Sequence, residues 1–205
     1  MPINQVVMGS ALKRSLLPAL GIVLIAMGMA IAGRGIWIHA KALAAQILLE
    51  SAFCESIQTG TPVKPWYWAD TWPVARIAVP RLNESTIALK GASGQALAFG
   101  PGHLDNTPMA GERGTAVYAA HRDTHFAFLK NIEKNDQILV TRSDGKTVSY
   151  RVNHMAVVRW DEAKIIPDSE GRHLVLATCY PFDAITPGPL RYLVYADMET
   201  GGSGD

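Results

Sequence analysis

The chain is poor in cysteine: of its 205 residues only Cys54 and Cys179 are cysteines. Two thiols exclude a disulfide-rich scaffold. A single Cys54–Cys179 bridge stays open as the bland alternative, although Cys54 falls in a helical pattern far along the chain from Cys179. Charge of one sign is also lacking. The formal net charge is +1, with no basic run and no acidic tail. No global field therefore points to nucleic acid or to an acidic substrate, and none is expected as a partner. Internal repeats are absent, and low complexity is confined to the tail Gly201-Gly202-Ser203-Gly204-Asp205. No carboxylate cluster suggests a calcium site, and no cofactor is expected.

Charge is missing most conspicuously between Ser15 and Gly33, where no residue is ionisable. A bilayer core of ~30 Å needs about 20 such residues. Lys13 and Arg14 precede the run and Arg34 follows it. The basic pair favours a cytoplasmic N-terminus, which places the rest of the chain outside the cytoplasm at the inner (plasma) membrane. Ala30-Ile31-Ala32 fits a signal-peptidase pattern, but the apolar run exceeds the usual 7–15-residue core of a cleaved signal, so an uncleaved single-pass anchor is the reading adopted. The expected divisions are a cytoplasmic tail over 1–14, an anchor over 15–36, a membrane-proximal helix and linker over 37–73, a catalytic domain over 74–198 and a flexible tail over 199–205.

Ile38, Ala42, Ala45, Leu49 and Ala52 recur at helical spacing, which predicts a packing helix over Ile38–Phe53. Gly60, Pro62, Pro65 and Pro73 then predict an irregular linker over 54–73. Its aromatics Trp66, Tyr67, Trp68 and Trp72 are expected on the domain surface rather than at headgroup level. From Val74 the pattern becomes that of short strands: 74–79, 86–90, 115–120, 137–142, 146–153, 155–160, 173–178 and 190–196. Ser143-Asp144-Gly145 is a hairpin signal between the fourth and fifth of these, and 123–131 is expected to form a helical turn. Eight short strands with few helices predict a mainly β, antiparallel-rich barrel or sandwich.

Three reactive groups stand at strand ends. Cys179 closes the run His173–Thr178, His121 follows Thr115–Ala120, and Arg191 opens Leu190–Ala196. A thiol is only about 3 per cent ionised at pH 7 and needs a base or a cation beside it to act as a nucleophile. His121 supplies that base. Acyl transfer also creates an oxyanion, for which Arg191 offers a permanently charged fork of donors. If the strands carrying Cys179 and Arg191 pair as an antiparallel hairpin, both side chains reach the same rim. The three are expected to meet in an exposed groove at a barrel's mouth. One rival gathers His121, His125 and Cys179 around a metal. A second treats the domain as a non-catalytic binding module, which the retention of all three reactive groups opposes.

At these residues the chain resembles the sortases. Val175-Leu176-Ala177-Thr178-Cys179 is similar to the family's Thr-Leu-x-Thr-Cys, Ala119-Ala120-His121 to its histidine stretch, Arg191-Tyr192-Leu193-Val194 to its arginine strand, and Gly100-Pro101-Gly102-His103 to its Gly-Pro-Gly-His. Val175 and Ala120 depart from the commonest residues without removing a reacting group. These departures, with His121–Leu129 and Cys179-Tyr180-Pro181-Phe182, resemble the sortases of proteobacteria. The resemblance implies an eight-stranded sortase-type β-barrel with short helices behind a transmembrane helix. It also implies a cysteine transpeptidase that cleaves an LPXTG-like sorting signal between Thr and Gly. Cys179 would carry the thioacyl group, His121 would protonate the leaving amine, Arg191 would hold the oxyanion, and an amine acceptor or water would release the product. Thr178 is expected at the substrate, and Ile165 and Ile166 are expected to contact it from the loop before His173. At unperturbed pKa values a thiolate–imidazolium pair makes up under ~1 per cent of molecules at pH 7.

Overall fold

A computed structural model describes residues 5–199; the outer parts of the two expected tails, 1–4 and 200–205, lie outside the described residues. The chain divides into two compact units, residues 1–44 and 45–205. The described residues of the first are helical. One helix, α1 (Gln5–Thr59), runs through both the apolar segment and the expected packing helix. It is long and apolar enough, by length and composition, to cross a membrane, and Leu20, Ile22, Ile25 and Ile31 stand exposed on it.

α1 persists past Phe53 because no Pro or Gly interrupts it before Gly60, which takes φ +68 and ends it with a hydrogen bond from its N–H to the Ser56 carbonyl. Within the second unit Ala45, Leu49, Ala52, Phe53 and Ser56 form its buried stripe. Leu49 and Phe53 pack with Ile87, Leu89 and Ala96, which is the three- and four-residue spacing read in the sequence. The linker aromatics divide. Trp66 packs edge-on to Phe99 and Trp72 packs on the barrel core, whereas Tyr67 and Trp68 are exposed.

The rest of the second unit is a closed eight-stranded barrel: β1 (Pro73–Val79), β2 (Glu84–Lys90), β3 (Gly102–His103), β4 (Gly114–Ala119), β5 (Gln137–Arg142), β6 (Thr147–Arg159), β7 (Arg172–Tyr180) and β8 (Leu190–Met198), in the order β1-β2-β3-β4-β7-β8-β6-β5. Only the β2–β3 and β4–β7 pairs are parallel. A short helix, α2 (Gly94–Phe99), lies between β2 and β3 and is capped by Ser93, whose Oγ accepts from the Ala96 N–H. The fold is mainly β, as expected, but the eight strands are not the eight read from the sequence. The segments 146–153 and 155–160 are one strand, β6. A shift in its register against β8 between Val152 and His154 breaks the alternation that the two segments seemed to end and restart. β3 has two residues and carries no propensity signal. It exists because Gly100 and Gly102 let backbones touch: a Cβ on Gly100 would lie 2.4 Å from the Ile87 carbonyl oxygen, and one on Gly102 would lie 2.3 Å from that of Gly91.

Alternate residues fill the barrel. Ile77, Tyr118, Ile138, Tyr150, Val152, Leu174, Leu176 and Val194 are buried inside it. Burying each such aliphatic side chain contributes roughly 1.5–3 kcal/mol. Tyr180, Phe182 and Tyr192 form an aromatic cluster at the ends of β7 and β8, with Phe182 and Tyr192 packed against this core. A second cluster, Val117, Val175 and Leu193, lies on the outer wall of β4, β7 and β8 and is covered by Ala163 and Ile165 of the β6–β7 connection.

Candidate active site

β7 and β8 pair antiparallel, and in their register Cys179 is the partner of Arg191. Side chains of directly opposed residues emerge on the same face with Cβ atoms about 4.5–5.5 Å apart. The β7–β8 hairpin therefore sets Cys179 and Arg191 directly across from each other on one face. The Arg191 Nη1 donates to the carbonyls of Gly188 and Leu190, each at 2.9 Å, so the side chain is braced by the β7–β8 loop. Among the described residues it forms no ion pair; Asp197, farther along β8, is bonded to His173 and Asn153.

His121 arrives from the other side of β7. β4 and β7 run parallel with Ala119 opposite Ala177. The pairing continues one step past the end of β4, where the Ala120 N–H donates to the Ala177 carbonyl at 3.1 Å. The next residues on the two segments are at one level: His121 beside Cys179. The His121 side chain is exposed, and the chain turns there, with the Phe126 N–H donating to the His121 carbonyl at 3.1 Å. His121, Cys179 and Arg191 thus lie on three adjacent chain segments.

Alternation along β7 decides which wall Cys179 occupies. Leu174 and Leu176 point into the barrel, so Val175, Ala177 and Cys179 lie on its outer wall. The groove is consequently on the outside of the sheet beside the strand ends, not in the barrel's mouth, which Tyr180, Phe182 and Tyr192 occupy. Thr178 has the opposite parity from Cys179. It is 2 % exposed, and its Oγ1 donates to the Ala120 carbonyl at 2.8 Å. This bond fixes the residue before His121 to the residue before Cys179.

Ile165 packs on the outer-wall cluster of Val117, Val175 and Leu193, while Ile166 is 64 % exposed. Both line a cleft of about 270 Å³ under the β6–β7 connection. The apolar cluster and this cleft continue the wall that carries Cys179, toward the start of β7.

Arg122 is a residue that motif reading passed over. Its Nη2 donates to the Ala184 carbonyl and, at 3.0 Å, to that of Thr186. It ties the segment carrying His121 to the loop that joins Cys179 to Arg191. The only local signal was an arginine directly after a candidate base in a turn, and that spacing says nothing of a partner more than 60 residues away. His103 is buried, with Nε2 3.0 Å from the Pro108 carbonyl, and burial lowers its pKa, so it is a neutral structural histidine.

The metal reading finds no support in the geometry. Burial holds His125 below its ordinary pKa, and among the described residues no three His, Cys, Asp or Glu side chains are gathered to hold an ion. Cys54 is a free, exposed thiol and Cys179 a free, half-buried one, so the bridge alternative is not realised.

A closed eight-stranded barrel of this order is the architecture of a known family. Residues 77–199 match the family model described as the sortase domain, and the chain belongs to that family. It is 31% identical over 125 residues to Sortase D of Bacillus subtilis (strain 168), covering 60% of this chain and 63% of that relative. The matched part therefore spans less than two thirds of the curated relative's length. Among solved structures it is similar to Sortase A from Corynebacterium diphtheriae, with TM-score 0.60 and 26% identity over 67% of this chain and 66% of that one. It is likewise similar to sortase C-1 from Actinomyces oris, with TM-score 0.55 and 28% identity over 62% of this chain and 72% of that one.

Proposed function

We propose that this protein is a membrane-anchored cysteine transpeptidase that cleaves an LPXTG-like sorting signal between Thr and Gly. The observation that carries the reading is the register itself: Cys179 paired with Arg191 across the β7–β8 hairpin, and His121 level with Cys179 across the β4–β7 pair. In the first step Cys179 gives its thiol proton to His121, and the sulfur bonds to the carbonyl carbon of the Thr–Gly peptide. The oxygen takes the negative charge and meets donors of Arg191. The C–N bond then breaks, His121 delivers a proton to the leaving amine, and a thioacyl group remains on Cys179. In the second step an acceptor amine attacks that carbonyl, His121 takes up the proton the amine loses, and the thiolate leaves.

Thr178 serves this chemistry as a positioning residue, through the Ala120 carbonyl that precedes His121. Ile165 and Ile166 belong to the loop wall that receives the apolar part of the signal. The apolar stretch of α1 is the single-pass anchor, with the barrel outside the cytoplasm at the inner (plasma) membrane. The proteobacterial subclass rests on Ala120, Val175 and the segment His121–Leu129.

The substrate class is tested by incubating the full chain in detergent with a library of Leu-Pro-x-Thr-Gly-like peptides and an added primary amine. The expected products are the peptide cut after Thr and joined to the amine. Cleavage at other bonds, or none across the library, would overturn the assignment.

A further inference from the structure

The β6–β7 connection, 160–171, covers the outer wall along which the proposed substrate groove runs. Four bonds hold its later half, and none of the first three titrates. Thr115 N–H donates to the Pro167 carbonyl at 2.8 Å and Gly114 N–H to the Gly171 carbonyl at 2.8 Å, while the Thr115 and Ser169 hydroxyls meet at 2.8 Å. The fourth is a clasp made by His173. Its Nδ1 lies 2.6 Å from Asp197 Oδ1 on β8, and its Nε2 lies 2.6 Å from the Glu170 carbonyl in the connection. Both partners accept, so both ring nitrogens must donate. Only the imidazolium carries two N–H groups; the neutral ring has to give up one of the bonds.

The site is shaped for this ring. Gly171 has φ +92, and a Cβ there would lie 2.8 Å from the His173 Nε2. The ring forms part of the cleft that Ile165, Ile166, Lys164 and Ser169 also line.

We propose that His173 is a positioning residue which, with both ring nitrogens donating, clasps the β6–β7 connection to β8 and so sets the closure of the groove that leads to Cys179. This inference rests on the proposed function only for its kinetic consequence. The groups around the clasp are Asp197 on β8, His154 on β6, Lys164, Asp168 and Glu170 in the connection, and Arg172 beside it on β7. Asp197 and the Glu170 carbonyl raise the pKa of His173 above its ordinary 6.5. Burial works to raise Asp197, but hydrogen bonds from Asn153 and His173 outweigh it and hold that carboxylate below its ordinary value. The sign follows: the clasp is complete below pH 6.5 and is lost as the pH rises through the raised value.

The test is amide hydrogen exchange of the full chain in detergent across pH 6 to 9, corrected for the intrinsic pH dependence. Protection of 161–171 is expected to fall by about fivefold through the His173 titration, the scale of one lost hydrogen bond. His173→Gln is expected to flatten that dependence, and Asp197→Asn to move its midpoint to lower pH; the second variant decides the matter if the first does not fold. On sorting-signal peptides the KM of wild type relative to His173→Gln is expected to rise over the same pH range, while the ratio of their Cys179 alkylation rates with a small reagent stays constant. A wild-type exchange profile without the pH step, or the same step in both variants, overturns the proposal. If no peptide forms a thioacyl adduct, the proposed function falls while the exchange result still decides the clasp.

Discussion

Thr178 and Cys179 are neighbours in sequence whose side chains leave β7 on opposite walls: Thr178 into the protein to bond the Ala120 carbonyl, Cys179 outward beside Arg191. The pair couples the barrel's packing to its chemistry. The inward residue fixes the segment that delivers His121, and the outward residue meets it.

Removing the inward hydroxyl tests that coupling. Thr178→Val keeps the shape and leaves the buried Ala120 carbonyl without its donor, which costs roughly 1–3 kcal/mol. Denaturant melts should report a loss in that range. The kcat of thioacyl formation should drop while KM stays constant, because His121 shifts and the groove does not. An unchanged kcat in a correctly folded variant would remove Thr178 from the account.

Arg191 is assigned a geometric and electrostatic task, so charge alone should not replace it. Arg191→Ala is expected to slow thioacyl formation by at least 10²-fold, the size of a lost oxyanion donor. Arg191→Lys should recover little of this, since an ammonium lacks the planar fork. Full rescue by lysine, read in single-turnover assays, would show that only a positive charge is needed.

The barrel also has an acid-labile tie. Arg81 on the turn after β1 bonds Asp136, whose Oδ2 also accepts from the Glu133 N–H at 2.8 Å. The Arg81 hydrogen bond holds Asp136 below its ordinary 3.8. A depressed carboxylate stabilises the fold fully above that value, and the contribution disappears as the pH falls through the folded-state value. Asp136→Asn should therefore lose about 1–3 kcal/mol at neutral pH, toward the low end because Arg81 is partly in solvent. The difference from wild type should shrink in acid. A constant difference across pH in urea melts would contradict it.

The antiparallel pairing of the strands that carry Cys179 and Arg191 was legible as a possibility, because Cys179 closes one strand pattern and Arg191 opens the next. The wall was read differently: the sequence pointed to the barrel's mouth and to Thr178 at the substrate, whereas Leu174 and Leu176 inside the barrel leave Cys179 on the outer wall and Thr178 buried. β3 was not legible, since two residues carry no periodicity and its pairing depends on close backbone approaches at Gly100 and Gly102. The unity of β6 was hidden by the irregular register near Asn153. Contacts of Arg122 with Ala184 and Thr186, and of His173 with Asp197, join residues that only the closed barrel brings together.

The central claim is that Cys179 carries the acyl group. Mass spectrometry of the full chain after quenching with a Leu-Pro-x-Thr-Gly peptide reads it directly. An adduct equal to the peptide acyl portion ending in Thr is expected, mapped to the fragment containing Cys179. Cys179→Ala should show none, with its thermal melt nearly unchanged because the thiol stands on the outer wall. An adduct on Cys54, or peptide cleavage by Cys179→Ala at the wild-type rate, would contradict the account.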